Sequence, residues 1–112
     1  MGDTLKDLFE LQKKFQMKLC GCKLPKEMPE MIPLQVTALI AEIGEILEEN
    51  QKWKPWRKNP PRVDYENLLT EVVDAFHFLI NISLFLGFDS RDVYERFIEK
   101  NKKNFERQKN SY

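Results

Sequence analysis

The stretch LLTEVVDAFHFLI, Leu68 to Ile80, decides the fold, because it sets Glu71, Asp74 and His77 three residues apart in an otherwise apolar run. The run reads as buried helix. From Val72 to Leu86 apolar residues occur on nearly every side, so both faces of such a helix call for neighbours. Glu71, Asp74, His77 and Asn81 nonetheless fall in one sector roughly 120° wide, shared with Thr70 and Phe78. A buried carboxylate has to be paired, protonated or bound to metal, since an unpaired charge resists desolvation. Two explanations stand open at this point: an ion pair with a base from another helix, or a bound cation.

Working outward, three more helical segments appear and nothing alternates with period two. The first is expected from about Asp3 to Leu19, with Leu5, Leu8, Phe9 and Phe15 on one side, Asp3 as N-cap and Gly21 as stop. A proline-rich loop, KLPKEMPEMIP (23–33), follows and is expected to be rigid and non-helical. The second helix starts near Pro33 or Leu34 and continues to about Lys52. The loop WKPWRKNPPRVD (53–64) leads to Asp64, the expected N-cap of the central helix, which ends at Gly87. After the break at FDS (88–90), a fourth helix runs from about Ser90 to Gln108. The expected fold is all-α, a four-helix-bundle-like subunit spanning residues 1–112 as a single domain.

Bulk properties narrow the function. The 112 residues carry 18 basic and 18 acidic side chains, so no net field favours nucleic acid or an anionic membrane. His77, Asn81 and Ser83 interrupt the longest apolar run, so no membrane span is expected. The opening MGDTLKDLFE is acidic and amphipathic, unlike a secretory signal. Cys20 and Cys22 are too close in sequence to bridge readily, and zinc would need two further ligands where His77 is the only histidine. Free thiols in a reducing cytoplasm are the expectation.

The second helix divides cleanly. Val36, Leu39, Ile43, Ile46 and Leu47 form one face, and Gln35, Glu42, Glu45 and Glu49 the other. Taken alone, Glu42 and Glu45 read as part of a solvated face. If they meet Glu71 and Asp74, four carboxylates converge with a formal charge of roughly −4, more than a nearby pair of bases neutralises. Magnesium answers that demand, being a hard cation that prefers oxygen ligands and keeps waters for a phosphate substrate. It lowers the pKa of a bound water and clamps phosphate oxygens.

The fourth helix carries KNKKNFERQ (100–108). Tyr94, Phe97, Ile98 and Phe105 make its apolar face, with Asn101 in the middle of it, Asn104 and Gln108 flanking, and Lys100 and Arg107 along one edge. Lys102 and Lys103 read as solvated, but amides and bases together suit phosphate and sugar oxygens. The rings and bases of WKPWR (53–57) suit either stacking on a nucleobase or anchoring the loop.

These segments resemble the all-α nucleoside triphosphate pyrophosphohydrolases, which include MazG-type enzymes and dimeric-type dUTPases. The ExxE of AEIGE (41–45) and the ExxD of TEVVD (70–74) are shared across that superfamily. EVVDAFHFLINISLFLG (71–87), the loop WKPWR and the tail KNKKNFERQKNSY (100–112) are more similar to the dimeric-type dUTPases. In the tail, Lys100, Asn101, Asn104, Arg107, Gln108 and Tyr112 match and Ser111 replaces the usual glycine. The resemblance implies Mg2+-dependent hydrolysis of dUTP to dUMP and pyrophosphate. It implies a metal held by Glu42, Glu45, Glu71 and Asp74, with Glu42 as the base that deprotonates the attacking water. Phosphates and sugar would fall to Lys100, Asn101, Asn104 and Arg107, and the uracil to Gln12, Trp53, His77 and Phe78. Phe15 stands where some members have an asparagine, and the chain is shorter than many of them. Members are dimers or tetramers, and the central helix, apolar all round, independently asks for more burial than one such chain gives. A MazG-like or dCTP-directed pyrophosphatase is the neighbouring alternative, and a non-catalytic helical interaction module the alternative from another class.

Overall fold

The computed structural model describes residues 4–50, 54–59 and 61–110. Four α-helices follow one another, α1 (Leu5–Leu19), α2 (Ile32–Glu49), α3 (Tyr65–Phe85) and α4 (Ser90–Lys109), with no strand among the described residues. The all-α expectation holds. Helix ends are set by local chemistry. Thr4 caps α1, its Oγ1 accepting from the Asp7 N–H at 3.2 Å; the cap expected at Asp3 lies outside the described residues. Gly21 turns left-handed after α1 (φ +64°), and Cys22 follows it there (φ +65°) while its N–H donates to the Met17 carbonyl at 2.7 Å. Asp64 caps α3 through the Asn67 N–H at 3.1 Å, and Gly87 (φ +90°) turns the chain beyond its end. Asp89 and Asp92 cap α4 reciprocally.

The proline-rich segment is more helical than expected. Pro25–Glu27 and Pro29–Met31 form short 3-10 turns that lead directly into α2, where Pro33 costs no hydrogen bond because first-turn N–H groups have no helical partner. The expected end of α2 at Lys52 lies outside the described residues.

α2 and α3 form the main helix pair. Asn67 Nδ2 donates to Glu49 Oε2 at 2.6 Å and fastens the end of α2 to the start of α3. α1 crosses α3 near its other end, where Phe9, Ile80 and Leu84 form a small core joined by Leu5 and Val93. α4 is attached there, chiefly through α1.

Two expectations are corrected. α2 turns only part of its apolar face to the chain: Leu39 and Ile46 are half-buried, but so is Glu42, Gln35 is buried, and Val36, Ile40, Ile43 and Leu47 are exposed. α3 behaves alike, burying Asn81 beside Ile80 and exposing Leu69, Val73, Phe76 and Leu79. In addition, α3 is by length and composition apolar enough to cross a membrane despite His77, Asn81 and Ser83.

Candidate functional site

The inward turn of α2 is what builds the site. Glu42 and Glu45 lie one helical turn apart and face Glu71 on α3, so that one carboxylate oxygen from each lies within 4.8 Å of the others. Glu42 Oε2 and Glu71 Oε2 are buried without a hydrogen-bond partner. Asp74, one turn beyond Glu71, is half-buried and acts on both Glu45 and Glu71 through its charge.

Among the described residues no salt bridge ties this cluster to a base: the salt bridges are Lys54–Glu48, Arg91–Glu95 and Arg96–Glu99, and none includes a cluster member. Crowding of like charge acts on the carboxyls. The Glu45 carboxyl is held above its ordinary value of 4.5 by its hydrogen bond with Glu71, then by the Glu71 charge and by desolvation. For Glu71 the largest influence, the bond with Glu45, lowers the pKa. The bond with Glu42, desolvation, and the charges of Glu42 and Asp74 together outweigh it and leave the group raised. An all-oxygen donor set with unpartnered buried oxygens and surplus negative charge fits a hard divalent cation.

A groove of about 840 Å3 opens beside the acids, large enough for a nucleotide-sized ligand. Glu42 and Asp74 line one part of it, Gln12, Gln35 and Asn81 another, with His77 and Phe78 between them along α3. Phe15, Leu19, Met31 and Leu34 supply apolar wall, and Cys20 reaches it as a free thiol. The structure therefore brings together Glu42, Asp74, Gln12, His77 and Phe78, with Glu45 and Glu71 adjoining through Glu42. Trp53, expected at the base, lies outside the described residues.

Lys100, Asn101, Asn104 and Arg107 are not part of this groove, whose lining comes from α1, α2, α3 and the segments joining α1 to α2. They stand exposed on the distal half of α4, beside Phe97 and Phe105, which are exposed as well. The burial of Gln35 and its bond with Asn81 do not follow from the spacing of the sequence. Gln35 was assigned to a solvated face with the glutamates; the available signal was its place on the same side as Glu42, two turns away.

Comparison with known proteins places the groove in the matched region. A family model described as dUTPase matches residues 4–85, which hold α1, α2, α3 and the groove and stop short of α4. A dCTP pyrophosphatase of Enterobacteria phage T4 is 30% identical, the match covering 78% of this chain and 60% of that protein. A dCTP pyrophosphatase of Enterobacteria phage LZ5 is 29% identical over 58% of this chain and 44% of its own length. The chain thus spans about half the length of the curated relatives it matches. No solved structure matches it significantly.

Proposed function

The chain belongs to the dimeric-type dUTPase family, and from that premise we propose that it hydrolyses a pyrimidine deoxynucleoside triphosphate, dUTP first, to the monophosphate and pyrophosphate. The observation that carries this reading is the acid cluster: carboxylates from two helices, in no salt bridge among the described residues, at the edge of a groove of nucleotide size. Glu42, Glu45, Glu71 and Asp74 would hold Mg2+. When bound, the ion supplies charge neutralisation at phosphate oxygens and a water of lowered pKa. Glu42 belongs to both the cluster and the groove, so it is the carboxylate placed to orient the water and accept its proton as the α–β anhydride opens. Gln12, His77 and Phe78 receive the base, Gln12 by hydrogen bonds and Phe78 by ring contact.

Lys100, Asn101, Asn104 and Arg107 serve the phosphates and sugar from α4. Because the groove of one chain is built without α4, an adjoining copy is the proposed source of these groups. Surface area supports such an assembly. The chain exposes 8948 Å2, against about 6,500 Å2 expected for a monomer of 13.4 kDa. Its radius of gyration is 17.5 Å, against about 13 Å for a compact chain of this length. A homodimer or homotetramer in the cytoplasm, where the two thiols stay reduced, is the proposed state.

The second reading is a dCTP pyrophosphatase, favoured by the names of the two phage relatives. A panel of deoxynucleoside triphosphates with Mg2+, scored for monophosphate and pyrophosphate, decides. Release from dUTP is expected to be fastest; dCTP ahead of dUTP selects the second reading, and no release from any triphosphate refutes the enzyme.

The cation is tested separately by heat. Carboxylates with raised pKa weaken the metal-free fold as pH climbs past 4.5 and they are forced to ionise together, and the same ionisation creates the ligand. Magnesium is therefore expected to raise the melting midpoint by about 5 °C or more at pH 8 and hardly at all at pH 4.5. A shift independent of pH would contradict the assignment.

A further inference from the structure

Between the acids and the core, three carboxamides from three helices form a chain. Gln12 Nε2 on α1 donates to Asn81 Oδ1 on α3 at 2.8 Å, and Asn81 Nδ2 donates to Gln35 Oε1 on α2 at 3.1 Å. Asn81 is only 3% exposed and Gln35 is buried, while Gln12 is half-buried at the wall of the groove. Both bonds run in one direction, from α1 to α2. We infer that this amide chain determines which pyrimidine the site accepts, by fixing which way round the Gln12 carboxamide faces the groove. The inference rests on the nucleotide reading above and names the residues that set its base preference.

The argument is one of donor and acceptor order. With one N–H given to Asn81, Gln12 keeps its carbonyl oxygen and one N–H, an acceptor beside a donor. Uracil carries a donor at ring position 3 and an acceptor at position 4; cytosine carries the reverse. A freely rotating carboxamide turns to serve either base, whereas a fixed one pairs with only one order. Turning Gln12 alone would set its oxygen against the Asn81 oxygen, two acceptors in a buried place, a penalty worth roughly tenfold to hundredfold in an equilibrium. The alternative order therefore needs all three amides to turn together. Gln12 is the contact residue in this scheme, and Asn81 and Gln35 are positioning residues.

The test measures affinity for the α,β-imido analogues of dUTP and dCTP, which differ only in the base and are not turned over, by calorimetry with Mg2+. The wild type is expected to prefer one of them at least about tenfold. Asn81→Leu removes both bonds, and Gln35→Met removes the outer one. Each is expected to bring the preference down about tenfold or to near unity, mainly by strengthening the disfavoured analogue. Gln35→Glu, which can only accept from Asn81, is expected to keep the wild-type preference, which a packing role would not require. An unchanged preference in Asn81→Leu and Gln35→Met, with both affinities falling together, would overturn the inference, as would a wild type that does not discriminate. Binding without any turnover of the natural triphosphates removes the proposed reaction and leaves the amide chain standing. No binding of either analogue overturns both.

Discussion

Glu71→Gln is expected to lower magnesium-dependent pyrophosphate release by at least about 10³-fold while leaving a folded protein. The structural reason is that Glu71 offers an oxygen within 4.8 Å of those of Glu42 and Glu45, and its Oε2 is buried with no protein partner. An amide in its place keeps the volume and removes the charge. Asp74→Asn is expected to behave alike. The metal-free melting midpoint at pH 8 should stay level or rise, because the substitution removes one member of a like-charged group in which the Glu45 and Glu71 carboxyls are held above their ordinary value. An ion-pair role makes the opposite prediction: deleting one partner of a buried pair strands the other and destabilises strongly. Activity assayed beside thermal unfolding separates the two. A variant that melts much lower, from a wild type without activity, would return the chain to a helical interaction module.

The acids were legible in the sequence because their evidence is local and duplicated. Glu42 and Glu45 share a helix face by spacing alone, Glu71 and Asp74 share another, and charge demands that such faces find a counter-ion or each other. Helix ends were legible for a similar reason, since Asp64, Gly21 and Gly87 act within a few residues. The direction in which α2 points was not. Amphipathicity says that a helix meets two environments, not which one its own chain supplies. Spacing therefore groups Gln35 with the solvated glutamates, whereas the fold buries it. Asn81 was visible as a polar residue in an apolar helix, but its partners Gln12 and Gln35 lie 69 and 46 residues away, beyond any pattern of spacing. The reach of α4 toward the phosphates rests on the motif and on the chemistry of its amides and bases, and the groove of one chain has no α4 residue in its lining.

Phe76→Glu is expected to dissociate the protein to monomers and abolish activity, as read by sedimentation equilibrium beside the pyrophosphate assay. Phe76 is 58% exposed and points away from the groove with Leu69, Val73 and Leu79, and α2 presents Val36, Ile40, Ile43 and Leu47 away from it as well. A charge at an exposed position of a true monomer changes stability little, within about 0.5 kcal/mol. In the proposed assembly the same charge would be buried without a partner at the centre of an apolar contact. The chain exposes about 2,400 Å2 more than a compact monomer of its mass, and the proposed assembly would cover part of that surface. Activity should fall with assembly because the α4 groups Lys100, Asn104 and Arg107 reach the acids only across copies in this scheme. Ile40→Glu on α2 provides a second probe of the same kind. Monomeric variants that keep full turnover would show that one chain builds the whole site. A wild type that sediments as a monomer would leave the apolar faces of α2 and α3 to some other cover.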